Sequence, residues 1–321
     1  EVLLRFFIWD ALRLILAHRG VHGAAQRPLK TRPGVPSFER SSHPRFADPL
    51  ALLILSTATL LLLTWLLREP LFTEWRRRKV RRQPFPAEWR QVLRHRVPYF
   101  RSMPADLQLQ LKKHIQVFLS EKPFIGCRGL VVTDEMRVTI AAQACLLILN
   151  RRSDYFAQLR QILVYPGAFV VDRVHADGSG VVQDRRLALS GESWSAGQVI
   201  LSWQDAVEGA EVADDGRNVV IHEFAHQLDQ ESGAANGSPR MPGRARRERW
   251  ARVLSEEFAV LQRRASERRP SLLSDYGATD PAEFFAVASE VFFEQPQRLA
   301  AEHAALYREL SHYYRVNPLS W

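Results

Sequence analysis

The sequence contains few cysteines. Only Cys127 and Cys145 occur among 321 residues, and neither belongs to a C-x-x-C or Cys/His pattern. Two cysteines do not provide the disulfide framework of a small secreted protein. The chain is therefore expected to fold around a hydrophobic core in a reducing compartment, as one large domain or two smaller ones.

Most of the chain also lacks net charge. A formal charge of +9 would by itself suggest a nucleic-acid or membrane partner. However, residues 1–82 hold 15 Lys/Arg and 6 Asp/Glu, so residues 83–321 hold 29 of each kind. The larger part of the chain has no net positive charge with which to bind nucleic acid, and no nucleic-acid partner is expected.

One long hydrophobic run stands out from this pattern. Residues 50–67, LALLILSTATLLLLTWLL, form 18 positions without a charged side chain, which approaches the roughly 20 residues of a membrane-spanning helix. A basic block at residues 75–82, WRRRKVRR, follows it and is typical of a cytoplasmic membrane surface. The run predicts a single transmembrane helix, with a buried core helix as the alternative.

These segments divide the chain into four predicted parts. Residues 1–46 are an N-terminal extension, either disordered or interfacial, and residues 47–68 are the transmembrane helix. Residues 69–83 are a basic juxtamembrane linker, and residues 84–321 are the globular domain. The expected location is the inner membrane with this domain in the cytoplasm, or the cytoplasm alone if the N-terminal segment is absent.

Periodicity in the globular part favours helices with a small sheet. Apolar residues recur at helical spacing in several segments, while β-branched and aromatic runs bounded by Gly and Pro predict strands. Helices are predicted at 107–122, 137–150, 244–267 and 281–293, and strands at 161–171 and 197–203. The sequence therefore predicts an α+β fold in which helices dominate.

One motif carries metal chemistry. Residues 218–230, NVVIHEFAHQLDQ, contain H-E-x-x-H at His222, Glu223 and His226, on a helix predicted to start near residue 215 or 216. Positions i and i+4 share a helix face, so both imidazoles can bind one ion. Zinc accepts such nitrogens, and the glutamate can take a proton from water that the ion activates. The structural alternative is a pair of core histidines beside a surface glutamate.

A catalytic zinc site needs a third protein ligand, and the sequence offers more than one carboxylate. Glu283 and Glu290 lie seven residues apart on one face of an apolar helix. Glu283 also has a structural alternative, because it follows Asp280 at the spacing of a capping box. Asp229, near the end of the H-E-x-x-H segment, is expected to hold an imidazole in place. Spacing alone does not choose between Glu283 and Glu290.

Several separated blocks resemble the Mlc titration factor A family of zinc-dependent peptidases. The blocks lie within residues 84–318 and read YPGAFVV, LSGESW, VVIHEFAHQLDQESGAANGSP and YGATDPAEFFAVASEVFFEQP. The last block also resembles the active-site helix of anthrax lethal factor, a gluzincin-type metallopeptidase. There, a glutamate seven residues after a tyrosine and just before two phenylalanines is the third zinc ligand. Tyr276, Glu283, Phe284 and Phe285 occupy these positions.

The resemblance implies a zincin-like metallopeptidase domain that holds one Zn²⁺. His222, His226 and Glu283 are the implied ligands. Glu223 is the implied general base, and Tyr276 is the implied hydrogen-bond donor to the developing oxyanion.

The resemblance carries three further implications. Glu290 is left with an orienting or structural role. An edge strand at residues 198–203 is expected to pair with an extended peptide or protein substrate. The family's named member binds the repressor Mlc, so the alternative function is a regulatory protein that sequesters a transcriptional repressor, with catalysis secondary.

Overall fold

The computed structural model describes most of the chain after its N-terminal extension. The described residues are 49–176, 182–189, 191–194, 197–212 and 214–321. The chain divides into two compact units, Glu1–Leu63 and Thr64–Trp321, and the second contains every candidate site residue. The predicted extension at residues 1–46 lies outside the described residues.

A single long helix, α1, covers Pro49–Arg81. It runs through most of segment 69–83, where the sequence predicted a linker. Glu74 accepts hydrogen bonds from the guanidinium groups of Arg78 and Arg81 at 3.3 and 2.5 Å, which supports helix in the basic block. No helix among the described residues is both long and apolar enough to cross a membrane, in contrast to the transmembrane helix predicted at 47–68.

The last turns of α1 belong to the globular unit. Arg77 donates from Nε and Nη2 to the Glu121 carboxylate at 2.7 and 2.9 Å, and from Nη1 to Asp154 at 2.7 Å. Val80 packs against the hydrophobic core. This bidentate pair is a contact between residues 44 positions apart, which the composition of the basic block does not reveal.

Helices dominate the rest of the fold, as predicted. In chain order they are α2 Ala87–Arg96, α3 Tyr99–Ser102, α4 Ala105–Glu121, α5 Asp134–Leu146, α6 Trp203–Glu211, α7 Val219–Gln230, α8 Arg244–Ser266, α9 Pro281–Glu294, α10 Pro296–Glu302 and α11 Ala304–Tyr314. Short 3-10 helices lie at Asp275–Ala278 and Pro318–Ser320. The helices predicted at 107–122, 244–267 and 281–293 are confirmed. α5 begins earlier than predicted because Thr133 caps it, accepting from the backbone N–H of Met136 at 3.3 Å.

A small mixed sheet lies within the globular unit. Its strands are β1 Phe124–Gly126, β2 Gln161–Tyr165, β5 Gly191–Trp194 and β6 Gln198–Ser202, in the order β1-β2-β6-β5. β1, β2 and β6 are parallel, whereas β5 pairs with β6 in antiparallel orientation. The segment predicted as the edge strand, 198–203, is therefore an interior strand, and the prediction of its edge position is wrong. The edge beside it is β5.

The strand predicted over 161–171 is two strands in two sheets. Pro166 and Gly167 separate β2 from β3, Phe169–Ala176, because proline lacks the N–H that would continue the ladder. β3 pairs in antiparallel register with β4, Val182–Leu189, as a separate two-stranded sheet.

Aromatic packing in the core positions α7 and α9, which contact each other. The ring of Phe224 on α7 lies 4.8 Å from that of Phe156 and 5.7 Å from that of Phe118. On α9, the ring of Phe285 lies 5.7 Å from that of Trp250. These side chains are buried, and truncating one such aromatic costs about 3–5 kcal/mol. The two helices that carry the metal-binding candidates are therefore rigidly placed.

Candidate metal centre

The H-E-x-x-H motif begins one turn inside α7. The side-chain oxygen of Asn218 accepts a hydrogen bond from the backbone N–H three residues later at 2.9 Å, so the helix starts at Val219 and not at residues 215–216 as predicted. His222 and His226 then lie one turn apart on one face, with ring centroids 4.8 Å apart.

Glu283 lies in the first turn of α9. Asp280 accepts hydrogen bonds from the backbone N–H groups of Ala282 and Glu283 at 2.8 and 3.0 Å, and Pro281 occupies the first helical position. Asp280 alone therefore caps this helix end through its side chain. The carboxylate of Glu283 turns instead towards α7, so the capping-box alternative describes the place of Glu283 in the helix but not its side-chain contacts.

Three electron-rich atoms converge between α7 and α9. Nε2 of His222 lies 3.0 Å from Oε2 of Glu283 and 3.2 Å from Nε2 of His226. The same Glu283 oxygen lies 3.3 Å from Nε2 of His226. The structure thus brings together His222, His226 and Glu283 as a group that could hold a metal ion.

The chemistry and spacing of this group fit a small metal ion. Imidazole nitrogens and a carboxylate oxygen bind zinc at about 2.0–2.2 Å, and ligand atoms of a tetrahedral site with such bonds lie about 3.3 Å apart. The observed separations of 3.0, 3.2 and 3.3 Å are close to that value. Atoms of this kind repel one another at such distances unless a proton or cation lies between them.

Glu290 orients the first histidine. Its Oε1 lies 2.7 Å from Nδ1 of His222, and its Oε2 accepts the backbone N–H of Asn218 at 2.6 Å. A hydrogen bond donated from Nδ1 leaves Nε2 of the same ring to face Glu283 and His226. The structure therefore distinguishes the two glutamates, which spacing alone did not. Glu283 contacts Nε2 of both histidines, whereas Glu290 contacts Nδ1 of His222.

The buried charges of this group perturb one another. Burial would lower the pKa of His222, but the negative charge of Glu290 and hydrogen bonds to Glu283 and Glu290 hold it well above its usual range. Burial would raise the pKa of Glu283, but hydrogen bonds to His222 and His226 hold it well below its usual range. Such coupled shifts in a cleft are typical of functional sites.

A third glutamate extends the network, and the sequence interpretation missed it. Asn218 donates from Nδ2 to Glu294 at 2.9 Å and to the carbonyl oxygen of Gly209 at 2.7 Å. Burial raises the pKa of Glu294 to about 9. Asn218 thus links the start of α7 to both Glu290 and Glu294 on α9. The sequence shows only that Glu290 and Glu294 follow Glu283 by seven and eleven residues. This spacing does not reveal that both carboxylates contact Asn218.

Glu223 and Tyr276 lie at one cavity with the first histidine. The cavity has a volume of about 440 Å³, and its lining includes His222, Glu223, Tyr276 and Glu290. Glu223 is 4% exposed, whereas Tyr276 is 53% exposed on the short 3-10 helix before α9. The ring centroid of Tyr276 lies 5.9 Å from that of His222. A substrate in this cavity would therefore meet one buried carboxylate and one accessible phenol beside the metal-binding group.

Asp229 has a different environment from the predicted one. It is fully buried, and its Oδ2 accepts the backbone N–H groups of Asn236 and Gly237 at 2.7 and 2.6 Å. Burial raises its pKa against these hydrogen bonds. Asp229 therefore stabilises the loop after α7 through hydrogen bonds to its backbone. The sequence had instead suggested that Asp229 orients a histidine.

A family model described as glucose-regulated metallo-peptidase M90 matches residues 72–315 of the chain. The chain belongs to this family. M90 is a family of metallopeptidases. Among the described residues, His222, His226 and Glu283 form the group that could hold the metal ion such a family implies.

Individual relatives also match most of the chain. A protein of Synechocystis sp. is 39% identical over 267 residues, which cover 83% of this chain and 97% of the relative. Mlc titration factor A of Klebsiella pneumoniae subsp. pneumoniae is 34% identical over 235 residues, covering 72% and 87%. Mlc titration factor A of Escherichia fergusonii is 31% identical over 248 residues, covering 76% and 91%. The resemblance to the Mlc titration factor A family is confirmed.

Proposed function

We propose that the chain is a zinc-dependent peptidase in which His222, His226 and Glu283 hold one zinc ion. The observation that carries this proposal is the convergence of two imidazole nitrogens and one carboxylate oxygen within 3.0–3.3 Å of one another. When bound, zinc supplies a Lewis acid that polarises a carbonyl group and makes water acidic near neutral pH. Everything else that the reaction needs is assigned to side chains and backbone of this chain.

Glu223 is the proposed general base. It lies on α7 between the two histidines in sequence and lines the same cavity as His222. Its carboxylate accepts the proton of the attacking water and then passes it to the nitrogen of the leaving amine. Its burial favours this role, because a carboxylate shielded from bulk water exchanges its proton mainly with the substrate.

Tyr276 is the proposed stabiliser of the negative charge that develops on the carbonyl oxygen. Its phenol is accessible at the cavity lined by His222 and Glu223. A hydrogen bond donated to that oxygen strengthens as the charge grows, which lowers the barrier and not only the substrate dissociation constant.

The edge strand β5 is the proposed binding place for an extended peptide. β5 pairs with β6 on one side only within the described sheet, and it contacts α7, the helix of the metal centre. A peptide added beside β5 gains backbone hydrogen bonds that do not depend on its sequence. This assignment replaces residues 198–203, which are interior.

The decisive experiment combines metal content with peptide cleavage in the full chain. We expect about one zinc per chain in the parent and in Glu223→Gln, which keeps the side-chain shape but cannot accept the proton. Cleavage should fall by at least about a hundredfold in Glu223→Gln, whereas Glu256→Gln, an exposed glutamate on α8, should cleave normally. Glu283→Ala should lose both zinc and cleavage.

Two results would overturn the proposal. Equal cleavage by the parent, Glu223→Gln and a chelator-treated sample would exclude catalysis at this centre. Stoichiometric zinc in Glu283→Ala would exclude the ligand assignment.

A regulatory binding protein is the second candidate function. The observation that favours it is the name of two relatives, Mlc titration factor A. In this reading the chain sequesters a transcriptional repressor, and catalysis is secondary. Purified full-length chain and Mlc should then form a complex that survives Glu223→Gln, while a panel of peptides remains uncleaved. A chain that cleaves peptides and forms no complex would exclude this reading.

The location of the chain in the cell stays a prediction, at the inner membrane with a cytoplasmic catalytic domain or in the cytoplasm. Fractionation of cells that express the full chain would separate the two alternatives. Protease treatment of intact spheroplasts would test the orientation, because a domain on the cytoplasmic side is protected.

A further inference from the structure

A second and larger cavity lies apart from the metal centre. Its volume is about 880 Å³, twice that of the cavity at His222, and the two cavities share no lining residue. Three separate parts of the chain form its wall: residues 151–158 after α5, the region from Glu231 to residue 247, and the end of α11. Six arginines line it, namely Arg151, Arg152, Arg240, Arg246, Arg247 and Arg315.

The charge around this cavity is unbalanced. Only Asp154 and Glu231 among the lining residues carry acidic side chains, and Asp154 is already paired with Arg77 at 2.7 Å. Residues 83–321 as a whole hold equal numbers of basic and acidic residues. The concentration of guanidinium groups is therefore a local feature of the tertiary structure, and the net charge of the sequence conceals it.

Arg246 and Arg247 donate hydrogen bonds to the backbone carbonyl oxygens of His312 and Met241, but the cavity arginines lack the carboxylate partners that some other described arginines have. Arg96 and Arg249, for example, form salt bridges with Glu135 and Glu309. Among the described residues, no carboxylate oxygen lies within 4.0 Å of a guanidinium nitrogen of the cavity arginines. Burial lowers the pKa of Arg246, and the neighbouring charge of Arg315 lowers it further. The cavity thus holds repelling positive charges that an anion would neutralise.

Arg151 is packed against the protein, whereas Arg152, Arg240, Arg247 and Arg315 are exposed around the cavity. The guanidinium carbon of Arg151 lies 4.2 Å from the ring centroid of Tyr313, a buried tyrosine. Its Nη1 is buried and has no hydrogen-bond partner among the described residues. Stacking fixes the plane of the guanidinium, so Arg151 is held in one orientation at the wall of the cavity.

We infer that this cavity binds a small anion that carries two or more phosphate groups. Guanidinium groups bind phosphate oxygens through paired, charge-assisted hydrogen bonds. Several arginines around one space suit a ligand with several such groups, and a volume of about 880 Å³ admits a molecule larger than a single phosphate ion. Ser153 and Gln158 in the same wall can add neutral hydrogen bonds.

The position of the cavity predicts what binding does to the protein. Glu231 is the C-cap residue that follows α7, and Arg240 lies in the loop that joins α7 to α8. An anion held between this loop, the segment after α5 and the end of α11 ties together parts of the chain that are distant in sequence. Binding to the folded form alone raises the melting temperature, and the rise grows with the logarithm of the ligand concentration once this exceeds the dissociation constant.

The test uses the full, metal-loaded chain and a hexose bisphosphate as the probe. Isothermal titration calorimetry should give a saturable signal of about one site, and the melting temperature should rise. Arg152→Gln combined with Arg240→Gln should raise the dissociation constant at least about tenfold. Arg252→Gln combined with Arg263→Gln removes the same charge from exposed positions on α8 outside the cavity and should bind like the parent.

Further measurements make the test independent of folding and of catalysis. The melting temperature without probe and the zinc content should match in all three chains. Arg151→Lys keeps the charge but not the planar fork, so it should bind more weakly than the parent. Three results would each overturn the phosphate site. The two double variants could bind the probe equally weakly, sodium chloride at the same ionic strength could raise the melting temperature as much as the probe does, or citrate could bind as tightly as the probe.

Discussion

Glu290 Oε1 lies 2.7 Å from Nδ1 of His222, on the opposite side of the ring from the nitrogen that faces Glu283. This contact sets the orientation and tautomer of the imidazole. Because the other oxygen of Glu290 accepts the backbone N–H of Asn218, the same carboxylate joins the start of α7 to α9.

The first prediction concerns this contact. Glu290→Gln keeps the size of the side chain but removes the negative charge behind His222. Loss of an orienting carboxylate of this kind costs about 10–100-fold in metal affinity, so zinc should bind that much more weakly. Competition with a chromophoric chelator measures the change, and Glu256→Gln is the matched control on an exposed surface. Unchanged zinc affinity would show that Glu290 has only a structural role.

The second prediction separates transition-state stabilisation from binding. Tyr276→Phe removes one hydroxyl group from a half-exposed side chain, so folding and zinc content should not change. Loss of one donor to a developing oxyanion costs about 10²–10³ in kcat, with little change in KM. Steady-state kinetics on a peptide substrate provide the measurement, with Tyr165→Phe as a control outside the metal-centre cavity. A rise in KM at constant kcat would assign Tyr276 to substrate binding.

The third prediction concerns the dependence of stability on pH. Burial, together with the charges of Asp215 and Glu290, raises the pKa of Glu294 to about 9 against a hydrogen bond from Asn218. The folded chain therefore retains this proton over a range in which the unfolded chain, with a pKa near 4.5, releases it. The unfolded state binds fewer protons there, so Glu294 reduces stability increasingly as pH rises from 4.5 to about 9.

Glu294→Gln removes this ionisation. The melting temperature of the variant relative to the parent should therefore increase from about pH 5 to about pH 8. Glu302→Gln, an exposed residue on α10, should show a difference that does not vary with pH. A constant difference for Glu294→Gln would mean that the carboxyl group is ionised in the folded protein.

The fourth prediction concerns the loop after α7. Gly237 has φ of +73°, and a Cβ built on it would lie 2.3 Å from the carbonyl oxygen of Pro281 at the start of α9. Gly237→Ala should destabilise the protein by more than Gly129→Ala, where φ is +79° but the surrounding space is open. The control isolates the cost of the left-handed backbone, about 1–2 kcal/mol. Chemical denaturation measures both, and equal losses would show that the loop moves away freely.

Local sequence patterns were sufficient for several elements. The helices at 107–122, 244–267 and 281–293 follow from apolar periodicity, and the pair His222 and His226 follows from helical spacing. Local pattern did not predict features that depend on contacts between distant segments. The interior position of β6 depends on pairing with β2 and β5, and a strand's neighbours are not encoded in its own alternation.

The sequence by itself determined which residues could bind a metal: two histidines four positions apart, and two carboxylates on a second helix. Only the tertiary structure decided which nitrogen of His222 each carboxylate contacts. Glu283 and Glu290 occupy one helix at a spacing of two turns, so each meets His222 from a different side once α7 and α9 pack together. The cavity arginines are a second example, because the six side chains surround one space only when three distant segments of the chain meet. Spacing along one element is a local property, whereas distances between elements depend on the packing of the whole core.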